Sequence, residues 1–238
     1  MRRLFLTDIH ATLPALDAVI ERAGSVDAIY CLGDIVGYGP HPGVCIDRLM
    51  DLGAHCLLGN HDREVLGPSP VIEGPLDGHQ TWLRWTHAQI SPKQRCFLAS
   101  CPQSTQIDLS GRTATLVHGE QSEHRLHPNM PDHMIASGLG GVSGEIILFG
   151  HFHCRFERTI AGRRYIGLKA VGQARQHDPW AGYAIEQDGH LVHYAAHYDH
   201  DAVVHDLDAI GLPVAFRKRW ERYLRSGFDR EWSHPWPA

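Results

Sequence analysis

Five short apolar runs each end in residues able to hold a metal ion or move a proton. Leu4-Phe5-Leu6 leads to Asp8 and His10, residues 28–32 lead to Gly33-Asp34, and Cys56-Leu57-Leu58 leads to Gly59-Asn60-His61-Asp62. Thr115-Leu116-Val117 leads to His118-Gly119, and Ile146-Ile147-Leu148-Phe149 to Gly150-His151-Phe152-His153. One polar turn after one strand is ordinary. Repeated at five strand ends, the pattern gathers Asp, Asn and His at one mouth, and ligands of α/β sheets sit outside the carboxyl ends of strands. The donors are oxygen and nitrogen, without cysteine. Such a set suits manganese, iron, zinc, cobalt or nickel, and is too rich in nitrogen for magnesium or calcium. It also exceeds what one ion needs. A carboxylate has two oxygens, so Asp34 can bridge two ions, and a metal pair about 3.5–4 Å apart clamps a phosphoryl group and generates hydroxide. A structural zinc site is the alternative, but such sites are closed, four-coordinate and usually rich in cysteine.

Strands must run parallel to bring these ends together. Residues 2–7, 26–32 and 54–58 read as strands. Leu13, Leu16, Val19, Ile20 and Ala23 form a helical stripe, with Thr12 as its cap, Pro14 in its first turn and Gly24 at its stop. A second helix spans about residues 41–52. This β-α-β-α-β order predicts parallel strands with right-handed crossovers. Gly67-Pro68-Ser69-Pro70 breaks the chain. Trp82, Trp85, Ile90, Phe97 and Leu98 then predict two short helices with core aromatics, the second starting at Ser91-Pro92. From Thr105 onward strands dominate, with hairpin turns at Ser110-Gly111, Gly162 and Asp188-Gly189 and one helix near residues 131–137. Residues 201–226 read as a helix, with Phe216, Trp220, Tyr223 and Leu224 on an apolar face. Arg217, Lys218, Arg219, Arg222 and Arg225 make its other face basic and solvated. Residues 232–236 read as a loose tail. The expectation is a single α/β domain over residues 1–238, with two packed sheets flanked by helices.

Composition narrows the function. With 43% hydrophobic and 21% charged residues, the 238-residue chain reads as an ordinary soluble globular protein. A net charge of −5 argues against nucleic acid as a general partner. No run of eighteen apolar residues is present, which argues against a membrane span. Met1-Arg2-Arg3 precedes too short an apolar run for a signal-peptide core. Six cysteines without a C-x-x-C pair read as reduced, mostly buried thiols of a cytoplasmic protein. Most of the 19 histidines must be structural or surface residues, so abundance alone says nothing of metal.

In this order, D-x-H, G-D-x-V-G-Y-G-P, G-N-H-D, H-G and G-H-x-H resemble the calcineurin-like metallophosphoesterase superfamily. The GDIVGYGP form and Gly172-Gln173-Ala174-Arg175-x-x-Asp178-Pro179 look like its small bacterial and archaeal phosphodiesterase branch. The resemblance covers about residues 3–225 and implies a four-layer α/β/β/α sandwich. It implies that Asp8, His10 and His153 hold one metal with Asp34, and that Asn60, His118 and His151 hold the other with Asp34. A hydroxide and Asp34 would bridge the two divalent transition-metal ions, with manganese the leading candidate. His61 would stabilise phosphoryl oxygens or protonate the leaving group, and Asp62 would orient its ring. The implied activity is hydrolysis of a small-molecule phosphodiester. A phosphomonoesterase or protein Ser/Thr phosphatase of the same superfamily is the alternative; a non-catalytic interaction protein and a nuclease are weaker rivals.

Three departures from the family pattern stand out. Thr7 and Ala11-Thr12 flank D-x-H where relatives often carry Ser and Gly-Asn, which predicts only small changes in turn geometry. Lys169 lies in Gly167-Leu168-Lys169-Ala170-Val171-Gly172, where relatives often read asparagine-proline-glycine-serine-valine-glycine. It either reaches over the metals to a charged group of the substrate or points to solvent. The segment 120–131, with His124, Arg125 and His127, either lines a pocket over the metals or is a surface loop. Oligomeric state has no signature in the chain.

Overall fold

The computed structural model describes residues 1–69, 77–119 and 126–228. Strand β1 (Arg2–Leu6) alternates: Leu4 and Leu6 join the core beneath the helices, while Phe5 faces the opposite way. Helix α1 (Leu13–Ala23) follows, with a proline in its first turn. Thr12 stands at its N-cap position but does not cap, because its hydroxyl donates to the His10 carbonyl at 3.1 Å. Strand β2 (Ala28–Cys31), helix α2 (Pro42–Asp51) and strand β3 (His55–Cys56) complete the parallel unit. The strand expected over 54–58 shrinks to two residues because Leu58 N–H turns away to the Pro102 carbonyl at 2.9 Å.

Gly59 starts a helix, α3 (Asn60–Leu66), where the sequence suggested a turn. Helices α4 (Gly78–Gln89) and α5 (Pro92–Ser100) are capped by Asp77 and Ser91, which accept from Gln80 N–H at 2.7 Å and Gln94 N–H at 3.3 Å. Next come β4 (Ser104–Leu109), β5 (Arg112–Val117), α6 (Asp132–Gly138), β6 (Ile146–Phe149), β7 (Phe156–Ile160), β8 (Arg163–Gly167), β9 (Ala181–Gln187) and β10 (His190–Ala196). The turns at Ser110-Gly111, Ala161-Gly162 and Asp188-Gly189 have positive φ at both positions, the geometry that tight hairpins need.

The strands form two mixed five-stranded sheets, ordered β10-β9-β1-β2-β3 and β4-β5-β6-β8-β7. In the first sheet parallel strands β1–β3 run out to the β3 edge, with antiparallel β9 and β10 on the other side; in the second, parallel β5, β6 and β8 lie at the middle, with antiparallel β4 and β7 at the edges. The second half of the chain is not confined to the second sheet, since β9 pairs with β1. The sheets meet through Phe5, Leu32 and Ala184 against Leu116, Leu148 and Ile166. Outside the first sheet, Leu16, Ile46, Trp82 and Leu98 bring the helices onto Leu4 and Leu6; outside the second, Ile135 and Leu139 cover Ile147, Phe149 and Tyr165. This is the four-layer α/β/β/α sandwich.

The C-terminal segment is not one helix. Helix α7 (His200–Asp206) tightens into a 3-10 turn (Leu207–Ile210), Gly211 takes φ 70°, and Pro213 precedes α8 (Val214–Ser226). A left-handed glycine closes one helix, and proline, lacking an N–H, can only begin another. The basic face is largely solvated, with Lys218, Arg222 and Arg225 exposed, and it carries surface ion pairs: Arg217 with Asp208 at 2.5 Å and Arg225 with Asp201. The tail at 232–236 lies outside the described residues. No helix among the described residues is long and apolar enough to cross a membrane.

Candidate metal centre

Backbone bonds lace the strand ends together. Asp8 N–H donates to Gly33 O, His10 N–H to Asp34 O and Gly172 N–H to Asp8 O, each at 3.0 Å, and Gly150 N–H donates to His118 O at 2.9 Å. Asp8, His10, Asp34, His151 and His153 all have φ between 47° and 64°. A left-handed non-glycine residue costs about 1–3 kcal/mol. Five such residues at one mouth mean that the surrounding bonds impose their conformation. Glycine is required where the loops cross: a Cβ on Gly59 would lie 2.2 Å from Asp34 N, and one on Gly150 would lie 2.0 Å from Thr7 Oγ1.

The first cluster is Asp8, His10 and His153, all buried. Asp8 Oδ2 accepts from Thr7 Oγ1 at 2.9 Å and from His151 N–H at 3.0 Å. Asp8 Oδ1 has no hydrogen-bond partner among the described residues. It stands 3.2 Å from His153 Nε2, which is also 3.2 Å from His10 Nε2. His153 Nδ1 donates to the Gln173 carbonyl at 2.7 Å, so Nε2 of the neutral ring carries a lone pair. Burial first, and then Arg175, holds the His153 pKa well below its ordinary value; burial and His153 do the same to His10. The lone pair of His153 Nε2 faces the unpartnered Asp8 oxygen in a dry site, and a cation between them would satisfy both.

The second cluster is Asp34, His118 and His151, with Asn60 beside them. Asn60 Oδ1 lies 3.2 Å from His118 Nε2 and 2.9 Å from His151 Nδ1. His118 Nδ1 donates to the Leu32 carbonyl at 2.8 Å, turning Nε2 inward, 3.3 Å from Asp34 Oδ2. Burial alone would lower the His118 pKa, but the Asp34 charge wins and pushes it up to about 10. Burial would raise Asp34, and His118 with the other rings instead holds it well below the carboxylate range. His151 is pushed down to about 4 by burial and by His118. Asp34 Oδ2 also lies 3.9 Å from His10 Nε2, so its carboxylate stands between the clusters. The orphaned Asp8 oxygen, the inward lone pairs and the shared carboxylate fit two divalent ions.

His61 forms a third close group with His10 and Asp34, and its backbone N–H donates to Asp34 Oδ1 at 2.9 Å. Asp62 does not orient its ring. Both Asp62 oxygens accept backbone N–H groups, from Val36 and Gly59, each at 3.0 Å. An Asp three residues after the Gly59 that precedes the helix folds back on the helix start, which takes it away from His61. Burial and then Asp34 push the Asp62 pKa up to about 6. The ring nitrogen of His61 meets Glu64 instead, at 3.1 Å. The reading of G-N-H-D as a turn hid Glu64; a helix from Asn60 would have exposed it as the i,i+3 neighbour.

Lys169 does not point to solvent, and its side chain is turned to Asp178. It is 7% exposed, and its ammonium pairs with Asp178 at 2.5 Å. Its stem lies against β9, where a Cβ on Gly182 would come within 2.4 Å of Lys169 Cβ. Of the segment 120–131, residues 120–125, with His124 and Arg125, lie outside the described residues. Leu126 and Met130 are buried under α6, and His127 bonds locally to Asn129.

The family model described as the calcineurin-like phosphoesterase superfamily domain matches residues 1–187. The chain belongs to this superfamily. An uncharacterized protein of Methanocaldococcus jannaschii is 29% identical over 215 residues, which is 82% of this chain and 86% of that one. A metallophosphoesterase from Sphaerobacter thermophilus is 28% identical with a TM-score of 0.76, covering 96% of this chain and 99% of that one. A hypothetical protein from Pyrococcus horikoshii shares the fold, with a TM-score of 0.82, 18% identity and the same coverage. The family match ends with β9, so β10, α7 and α8 lie beyond it.

Proposed function

We propose that this calcineurin-like phosphoesterase is a two-metal phosphodiesterase acting on a small-molecule phosphodiester. The observation that carries the reading is the Asp34 carboxylate, which is shared between two clusters whose remaining donors point inward. Asp8, His10 and His153 would hold one ion, Asn60, His118 and His151 the other, and Asp34 both. When bound, two divalent ions supply charge neutralisation at the phosphoryl oxygens and a water acidic enough to act near neutral pH. Manganese is the first candidate, ahead of iron, zinc, nickel and cobalt. The residues named keep the donors dry and fixed before substrate arrives. His61, at the edge of both clusters, donates to a phosphoryl oxygen or to the departing alcohol. The acidic balance of the chain favours a small substrate over nucleic acid or a membrane surface. Six unpaired cysteines fit a reducing, cytoplasmic setting.

The test is metal analysis of the purified protein joined to a panel of aryl diesters, aryl monoesters and cyclic nucleotides. Two ions per chain and faster diester hydrolysis are expected. A monoester rate about tenfold or more above the diester rate, a difference of about 1.4 kcal/mol in barrier, would reverse the preference. No hydrolysis with any of the five metals would overturn the enzymatic reading.

A further inference from the structure

We infer that Glu64 is the positioning residue of His61, holding its Nδ1 so that Nε2 is the atom presented to substrate. The inference rests on the phosphoesterase reading above and deepens it. Glu64 Oε2 lies 3.1 Å from His61 Nδ1, one turn along α3, and 3.5 Å from His79 Nε2 on α4. The carboxylate is thus held between two rings, one at the clusters and one nearer solvent. Asp62, the adjacent acid, has both oxygens committed to backbone N–H groups.

The His61 ring has little other freedom. Tyr38 meets it edge-on at 4.7 Å, Trp82 at 5.5 Å and His10 at 5.3 Å between ring centres. Gly37 closes the remaining side, where an added Cβ would lie 3.3 Å from His61 Cβ and Cγ. Such a cage fixes the ring plane but does not choose between the two orientations related by a half-turn about Cβ–Cγ. That half-turn exchanges Nδ1 with Cδ2, and a carbon cannot donate to a carboxylate with comparable strength. Glu64 therefore selects the orientation. It also keeps a proton on Nδ1, so that a ring protonated on both nitrogens has Nε2–H free to donate to substrate. Partners of this kind, acting through another residue, are worth about 10–100-fold when removed from metal sites.

The experiment combines kinetics on the metal-loaded full chain with imidazole nitrogen NMR on the metal-free full chain. For an alkyl-leaving-group diester, Glu64→Ala is expected to lower kcat by about 10–100-fold with KM nearly unchanged. Glu64→Gln, which still offers an oxygen to Nδ1, should recover most of that loss. In a His61→Ala background, Glu64→Ala should cost nothing further, because a residue acting only through His61 has nothing left to position. In the spectra, the His61 Nδ1–H signature should be present in wild type and Glu64→Gln and lost in Glu64→Ala. Additive losses in the double variant, or an unchanged His61 tautomer in Glu64→Ala, would overturn the inference. If wild type hydrolyses no phosphoester, the functional reading fails, and the spectra alone still decide whether Glu64 sets the ring.

Discussion

Tyr223 donates its hydroxyl hydrogen to the Gln173 carbonyl at 3.0 Å, and the same carbonyl accepts from His153 Nδ1 at 2.7 Å. A residue of the last described helix thereby shares an acceptor with a metal-ligand candidate. The contact does not stand alone. His177 N–H donates to Gly227 O at 3.2 Å, and the Phe228 ring stacks on His177 at 4.3 Å. A Cβ on Gly227 would lie 2.6 Å from the Asp178 backbone, so helix α8 ends directly on the loop that fixes His153. The part of the chain beyond the family match thus buttresses the first cluster.

Tyr223→Phe keeps the ring buried and removes only the donor. Loss of one buried hydrogen bond should lower unfolding free energy by about 1 kcal/mol. Denaturant titration of the metal-free protein measures this. An unchanged midpoint and slope would show that the hydroxyl does not brace Gln173.

Asp34→Asn keeps an oxygen for the His61 N–H but removes the charge shared by both clusters. Bound metal should drop from two ions per chain to one or none, and phosphoesterase activity to near background. Elemental analysis after gel filtration decides it. A variant that retains two tightly bound ions would show that Asp34 does not bridge.

Metal uptake should depend on pH through His118. Its pKa is raised to about 10 by Asp34, whereas His10, His151 and His153 are lowered and already neutral at pH 7. For the metal-free fold, the raised His118 pKa means that its contribution to stability is fully present below the unfolded value near 6.5. That contribution is lost as pH rises through about 10. A metal must displace this proton, so affinity should climb by up to about tenfold per pH unit between pH 7 and 9. Competition with a chelator of known affinity measures the slope. His118→Asn should flatten it; equal slopes in variant and wild type would refute the assignment.

His61→Ala should keep its metals and lose about 10²–10⁴-fold in kcat, the usual worth of acid–base help. The loss should shrink for nitrophenyl esters if His61 protonates the leaving group. An equal loss across leaving groups would assign it to the phosphoryl oxygens. Loss of metal in the variant would instead make His61 a ligand.

The strand ends were legible because two constraints coincide in the sequence: apolar runs that must be buried, and polar residues that only a mouth can accommodate. The hairpins were legible because Gly111, Gly162 and Gly189 sit where tight turns need positive φ. What escaped depended on residues far apart in the chain. Nothing local says that β9 inserts beside β1, or that Leu58 bonds to Pro102 and cuts β3 short. Asp and His visit the left-handed region more readily than most residues, but only the cross-loop bonds select Asp8, His10, Asp34, His151 and His153 for it. Thr7 keeps the hydroxyl that a Ser would supply, and that hydroxyl donates to one oxygen of Asp8. Gly211 and Pro213 were visible breakers inside an apolar periodicity, and the breakers prevailed.

Lys169 gives the last prediction. Its charge is matched by Asp178 rather than awaiting a substrate, and burial, its largest influence, lowers its pKa despite that partner. The pair joins the segment after β8 to the loop that carries Gln173 and Arg175. Lys169→Met would leave Asp178, which is half-exposed, free to turn to water, and would keep the apolar stem on Gly182. The cost of losing a partly exposed pair is therefore small, about 0–1 kcal/mol in stability. KM for a minimal aryl diester and for any larger natural substrate should both stay within about twofold, under half a kilocalorie per mole. Lys169→Ala should destabilise more than Lys169→Met, because it also removes the stem packed on β9. A KM that rises for a larger charged substrate alone, with stability unchanged, would return Lys169 to the substrate site and show that the pair with Asp178 opens when substrate binds.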